Sequence, residues 1–413
     1  MKRFSLILPV VAIVIFWFIR CTSESEIDTP TDLKSVLELE LTFGAENFDE
    51  EFLLFRPYGL TVNDSGDIFI ADEKRVKVYD KSGKEKSIIG RPGQGPGEFY
   101  DTFNPMLGPT GYLTVSDYSY SPEFHVFNPD FKFYKRFKQE TYTVFKDILE
   151  NITHLGNYLG TFNGRFPKVI ALNKTDRVGH FVIGERDRTK EPNLALQHEA
   201  LAYIKDDKFI ELHRYNRVLV GYYAGGMGAI PFMETLQWGL LPGNRIIYSY
   251  PSIDKKTEQN QSFYVLYIVN YETLDRSFIR HQYKPVEIPE TVKNEYHPTR
   301  SKKYNSWSEN DRLLFKEGID FVWEIVKDLE YYDSMLKLLV DGNIVFVVTY
   351  QENDSVEYIV NIFDPEIEKY VKSVCFSIVP EMIKNGYAYR TTDNEEGFKI
   401  VEKYKIDPIV YEK

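Results

Sequence analysis

The stretches GDIFIAD at residues 66–72 and GYLTVSD at residues 111–117 decide the fold. Each is a turn glycine, then alternating β-formers, then an aspartate, and the two glycines stand 45 residues apart. The device recurs as GNYLGTF at 156–162, GNRIIYS at 243–249, GNIVFVV at 342–348 and GYAYR at 386–390. NRVLVG at 216–221 fills a gap without the glycine. Partner strands of similar length surround the first of these, at 59–62, 76–79 and 86–89. Turns at Asp64-Ser65-Gly66 and Lys81-Ser82-Gly83 join them, where glycine reaches positive φ at low cost. Four short strands per period of roughly 45 residues mark a β-propeller blade, a small sheet that buries its faces only against its neighbours.

The expected fold is therefore all-β, a single propeller over residues 36–413. Six blades are expected, or seven if the short unit at 200–232 forms a blade of its own. VLELELTF at 36–43 alternates cleanly yet precedes the first complete blade. It is expected to close the ring as the outer strand beside the C-terminal hairpin, leaving no open edge.

GRPGQGPGEF, residues 90–99, holds four glycines and two prolines. A phosphate-binding loop would place Lys and Ser or Thr after the last glycine and lead into a helix. Here Glu98 and Phe99 follow Gly97, and a carboxylate there repels phosphate. The stretch reads as the corner that carries the chain from the rim of one blade to the axis of the next.

Residues 286–334 interrupt the strand pattern. Ser308 with Asp311 resembles a helix N-cap, and Leu313, Leu314, Phe321, Val322, Ile325, Val326 and Leu329 recur at helical spacing. A helical insertion near 299–334 is expected over one mouth of the propeller, apolar side inward, with Gly318 dividing it. Trp307 and Trp323, with Tyr331 and Tyr332, make it a candidate ligand face, although the same aromatics would serve packing.

The 413 residues carry a formal charge of −12 and include 30 Tyr and 29 Phe. An acidic chain without a basic block is a poor nucleic-acid binder. Lys2 and Arg3 precede an apolar run from 4 to 19 that is short for a membrane span. Cys21 closes this run, and a polar tether follows over 22–35. Residues 1–21 resemble a lipoprotein signal, with Cys21 the expected lipidation site; an uncleaved membrane anchor and simple secretion are the alternatives. The body of the protein is then expected outside the cytoplasm, at the bacterial cell envelope. Cys375 is the other cysteine, so the body has no internal disulfide, and its apolar neighbours mark it as an inert strand thiol.

The stretch GLTVNDSGDIFIADEKRVKVYDKSGKEKSIIGRPGQGPGEF, 59–99, resembles the first blade of the bacterial six-bladed β-propeller lipoproteins, relatives of NHL-repeat propellers. YKPVEIPE at 283–290, VDGNIVFVVTYQEND at 340–354 and IKNGYAYRTTDNEEGFKIVEKYKI at 383–406 have the same look, whereas 150–235 match least. The resemblance implies six blades and an anchored, extracytoplasmic protein. Most of that family has no assigned biochemical function.

No catalytic residue and no metal ligand is named from the sequence. The seven histidines show no metal-binding spacing, and no nucleophile elbow occurs. Calcium-dependent propeller lactonases and lyases converge carboxylates, Asn or His on the axis. Asp72 and Asp117 close the second strands of their blades and are the candidate ligand-face carboxylates, but the equivalent positions are Phe162, Ser249, Val348 and Thr392. Capping a turn is the expected role for both aspartates. The expected function is an envelope-anchored binding scaffold for an envelope protein, peptide or saccharide, with no cofactor. The alternative is a metal-dependent propeller lyase or lactonase using calcium.

Overall fold

The computed structural model describes residues 35–45, 49–117, 123–138, 144–146, 168–187, 194–223, 227–232, 234–351 and 357–412. The signal and Cys21, the tether up to residue 34, and the 156–162 repeat lie outside them.

Among the described residues the strands form six antiparallel sheets, the six blades of a propeller, and one short parallel pair between blades one and two. The chain opens with β1 (Leu37–Phe43). Blade one is β2 (Pro57–Val62), β3 (Ile68–Asp72), β4 (Arg75–Tyr79) and β5 (Glu85–Ile89). A crossing segment with two short strands, β6 (Arg91–Pro92) and β7 (Glu98–Phe99), leads to blade two: β8 (Thr102–Leu107), β9 (Leu113–Asp117), β10 (Glu123–Phe127) and β11 (Phe133–Lys138). Blade three holds β12 (Lys168–Ala171), β13 (Arg177–Asp187), β14 (Leu194–Lys205), β15 (Lys208–Tyr223) and β16 (Met227–Ala229). Blade four holds β17 (Gln237–Leu241), β18 (Arg245–Ser249), β19 (Lys255–Glu258), β20 (Gln261–Asn270) and β21 (Arg276–Tyr283), with β19 continuing the path of β18 along β20. Blade five is β22 (Lys337–Asp341), β23 (Ile344–Val348), β24 (Tyr358–Asp364) and β25 (Lys369–Phe376). Blade six takes β26 (Met382–Lys384), β27 (Tyr387–Asp393) and β28 (Lys399–Ile406), and its outer strand is β1.

The second strand of most blades is buried on both faces, which is why it reads as a continuous apolar run. Side chains alternate between the two neighbouring blades. Ile68 and Ile70 pack towards blade six with Tyr389 and Val401, whereas Phe69 packs towards blade two with Leu113 and Val115. Val345 and Val347 face blade four while Phe346 and Val348 face blade six. The core is thus six apolar layers, one per blade interface, rather than a single central mass. Each fully buried Ile or Phe contributes roughly 1.5–3 kcal/mol by leaving water.

Closure follows the expectation for 36–43. β1 runs antiparallel to β28, from Leu37 opposite Ile406 to Phe43 opposite Val401. The same end of the chain reaches blade five, where Val36 N–H donates to the Cys375 carbonyl at 3.0 Å. The first strand and the residue before it therefore tie blade six to blade five.

Six blades are present, and the unit at 200–232 is not a seventh. Its residues belong to β14, β15 and β16 of blade three, and the 216–221 stretch lies within β15, an outer strand. Blade three enters its second strand through Asn173-Lys174-Thr175-Asp176, where Asn173 Oδ1 accepts from the backbone of Thr175 and Asp176 in place of a glycine turn. Gly66, Gly111, Gly243, Gly342 and Gly386 all take the positive φ that the repeat implies.

Candidate functional site: the entry face

Among the described residues, the blade-to-blade crossings and the turns between second and third strands fall on one end of the propeller, here called the entry face. Topology alone dictates this, since inner strands begin there and second strands end there. The candidate aspartates, the 90–99 corner and the helical insertion therefore share one face.

Asp72 is fully shielded from solvent. Its carboxylate accepts from the backbone N–H of Arg56 at 2.6 Å and of Phe55 at 3.2 Å, and Lys77 Nζ lies 2.6 Å from Oδ2. Lys77 also donates to the Leu53 carbonyl. Asp117 repeats the arrangement one blade on, accepting from Asp101 N–H at 2.9 Å and Tyr100 N–H at 3.0 Å. Burial raises the Asp117 carboxyl above the usual carboxylate range, partly countered by those two N–H groups. Both aspartates cap backbone, but the segment they cap is the one entering their own blade rather than the turn that follows them. In blade four Asp254 does related work, accepting from Tyr250 N–H at 2.7 Å.

The 90–99 corner fills its own amide cradle. Glu98 accepts from Gly95 N–H at 2.8 Å and from Arg91 Nε at 2.9 Å, so a protein carboxylate sits where an anion would dock. Those bonds hold Glu98 below its ordinary range. The glycines are required by contact: a Cβ on Gly90 would stand 2.2 Å from the Phe99 ring, and one on Gly93 2.1 Å from the Glu98 carboxylate. Phe99 is fully buried and packs on Phe127 and His125.

The insertion leaves blade four and returns to blade five. Its ends zip together, Ile288 N–H donating to Glu330 O at 2.9 Å and Tyr332 N–H to Val286 O at 3.0 Å. Between them lie α1 (Glu290–Lys293), α2 (Lys302–Asn305), α3 (Glu309–Leu314) and α4 (Lys316–Val326). Ser308 caps α3, with Asp311 N–H donating to its Oγ at 3.1 Å. The break falls at Phe315, not at Gly318, which is buried inside α4. Ile319, Val322 and Val326 form the buried side of α4, whereas Leu313 and Leu314, expected inward, are 66% and 57% exposed on α3. α4 lies against β15 and β16, so the insertion leans on the long strands of blade three rather than plugging the axis.

Trp323 meets His297 at 4.6 Å with its ring tilted by 57°, and Trp307 packs at 5.2 Å on Tyr304 and 5.6 Å on Phe315; both indoles are half-buried. They engage their own insertion and are not gathered with Asp72 and Asp117, which belong to blades one and two. Tyr332, a candidate aromatic of the insertion, lies nearer the blades, with partners in Tyr350 and Phe232 that the sequence did not announce. Tyr332 stacks on Tyr350 at 4.3 Å with planes 6° apart, and Phe232 meets Tyr332 edge-on at 5.3 Å. These residues come from three distant segments, and no local spacing announces them.

The sequence also gave no sign of a buried polar network between blades three and four. His180 Nε2 lies 2.7 Å from Glu199, which accepts from Gln197 Nε2 and from Tyr250 OH at 2.8 Å each. Glu199 and Gln197 are wholly buried. The network satisfies a carboxylate inside an inter-blade layer, closed to substrate. His125 and His281 are buried as well, and desolvation pushes both down to about 4. Cys375 is buried and its thiol is pushed up to about 11 by burial and the nearby Glu357, so it is a weak nucleophile. Among the described residues no group of three or more His, Cys, Asp or Glu is placed to hold a metal ion, and no helix is long and apolar enough to cross a membrane.

No family model and no curated protein matches the chain. Among solved structures, a Bacteroides fragilis protein whose name calls it exported is similar at 13% identity, with a TM-score of 0.46, covering 90% of this chain and 95% of that one. A Bacteroides caccae protein of unknown function is similar at 10% identity and TM-score 0.34, covering 77% and 81%. The WD40 domain of fission-yeast SCAP is similar at 7% identity and TM-score 0.31, covering 88% and 87%. The blade arrangement rests on this chain's own strand pairing.

Proposed function

We propose that the protein is a binding propeller, held at the outer side of a membrane through Cys21, which engages an envelope protein, peptide or saccharide on its entry face. The observation that carries this reading is how the entry face distributes its residues. The two aspartates best placed by the repeat for axial chemistry are committed to holding blade entry segments. The additions beyond the minimal blades, which are the helical insertion and the long strands of blade three, lie against each other on this same face. A rigid ring with an elaborated face is suited to recognition, although fold alone selects no ligand. Membership of the lipoprotein propellers related to NHL repeats belongs to this proposal and is supported by the 59–99 and 383–406 stretches.

Two experiments test it together. Mass spectrometry of the mature N-terminus should find a lipidated Cys21, and an unmodified chain beginning at Met1 would contradict lipidation and leave an uncleaved membrane anchor. Lactone and polysaccharide substrates supplied with calcium should show no turnover. Turnover abolished by chelator and by Asp117→Ala would establish the lyase or lactonase alternative instead.

A further inference from the structure

The insertion ends in an apolar tip that the ring does not cover. Leu313 and Leu314 are consecutive on α3, and each has more than half of its surface in solvent. Phe315 follows them directly and meets Trp307 at 5.6 Å, both half-buried. Exposed leucines are ordinarily scattered singly over a surface, whereas this tip gathers four large apolar side chains. Its charge is also unlike that of the rest of the chain. From 300 to 315 it holds Arg300, Lys302, Lys303 and Arg312 against Glu309 and Asp311, within a chain of formal charge −12. All four basic residues are exposed. Leucine and tryptophan beside unburied cations is the composition of a segment that lies in a membrane interface. The apolar side chains enter the acyl boundary there, and the cations stay among the headgroups.

The point where the tether joins the ring gives an independent indication. Ser35 N–H donates to Glu357 Oε1 at 3.1 Å, and Ser35 Oγ accepts from Ser377 N–H at 3.0 Å. Glu357 leads into the third strand of blade five and Ser377 follows its fourth, so both belong to the entry-face end of that blade. The insertion runs into the inner strand of blade five on the same face. Ser35 stands 14 residues after Cys21, a reach of at most about 50 Å at full extension. A lipid on Cys21 would thus keep the entry-face end of blade five within that distance of the bilayer, on the side where the tip projects.

We infer that the tip of the insertion, Leu313 and Leu314 with Trp307, is a lipid-contacting surface that seats one edge of the entry face on an anionic membrane. The inference rests on the reading of Cys21 as the anchor and adds a second contact to it.

The test uses the full chain with the fluorescent amino acid dansylalanine in place of Leu314, or of Lys174 in an opposite turn as the control. Each is mixed with excess vesicles of phosphatidylcholine and phosphatidylglycerol that carry a nitroxide lipid, and flotation is scored beside fluorescence. The label at 314 should be quenched and the label at 174 should not. Vesicles of phosphatidylcholine alone should quench 314 more weakly. Leu313→Asp should shift the docked population about tenfold towards the undocked state, the scale of withdrawing one leucine from an apolar contact. Because Leu313 is exposed, this variant should melt with the wild type. Flotation reports on Cys21 separately. A chain that floats with label 314 unquenched, or quenched no more than label 174, overturns the inference and leaves the anchor standing. Quenching at 314 without flotation supports the tip contact and removes the anchor. A 314 signal that follows protein concentration and ignores lipid would assign the leucines to contact between copies of the chain, which also overturns the inference.

Discussion

Asp72 and Lys77 face each other across the β3–β4 turn as an ion pair, Oδ2 to Nζ 2.6 Å, with side chains 0% and 2% exposed. The pair holds the segment that enters blade one, since the same carboxylate binds the N–H groups of Phe55 and Arg56. Removing one member strands the other charge in the protein interior. Asp72→Ala should therefore lower stability by about 3–5 kcal/mol. Asp72→Ala with Lys77→Met should recover much of the loss, measured by urea unfolding. A single variant as stable as the wild type would remove the structural assignment of Asp72.

Ring closure predicts a large effect from a short deletion. Removing residues 36–43 unpairs β28 and exposes the layer around Phe43, which is 6% exposed. Losing one buried Phe costs about 3–5 kcal/mol, and each kcal/mol moves Tm by about 2–4 °C in a large domain. A fall in Tm of more than about 10 °C is expected by calorimetry. A deletion variant that melts with the intact protein would mean that β1 is not part of the closed ring.

Corner 90–99 gives a contact-level prediction. Gly90→Ala places a methyl group 2.2 Å from the Phe99 ring at a φ of 76°. Overpacking and backbone strain together should cost at least about 2 kcal/mol. Glu98→Gln retains the bond from Gly95 and should melt close to the wild type by calorimetry.

The buried histidines set the sign of a pH effect. His125 and His281 are held near 4 when folded but titrate near 6.5 when unfolded. Below pH 6.5 the unfolded chain binds more protons at these two sites than the folded chain does. Their contribution to stability is therefore full above pH 6.5 and is lost as pH falls towards 4. His281 sits among the rings of Tyr264, Phe363 and Tyr370, so His281→Phe keeps the packing and removes the titration. Chemical denaturation between pH 7.5 and 5 should show a shallower loss for this variant. An identical slope would show that His281 is not held neutral.

How far the sequence carried can be judged from particular residues. Ile68 to Ala71 and Ile344 to Val348 announce themselves because burial on both faces selects an unbroken apolar run, and their turns need a glycine at positive φ. Blade three escaped because Asn173 and Asp176 make its turn with side-chain bonds, leaving no glycine to count. Leu313 and Leu314 fit a helical period, but the helix breaks at Phe315 and turns them outward. Asp72 and Asp117 were visible as a pair, though their partners 16 and 17 residues upstream were not.

The central claim is that the entry face binds and the opposite face does not. Its most direct test is one array of envelope saccharides and peptides probed with three forms of the protein. These are the wild type, an entry-face variant (Trp323→Ala, Tyr332→Ala), and a variant of the opposite turns (Lys174→Glu, Asp206→Lys). The account predicts that every ligand retained by the wild type is retained by the opposite-turn variant and lost by the entry-face variant. Ligands kept by the entry-face variant and lost by the opposite-turn variant would contradict it.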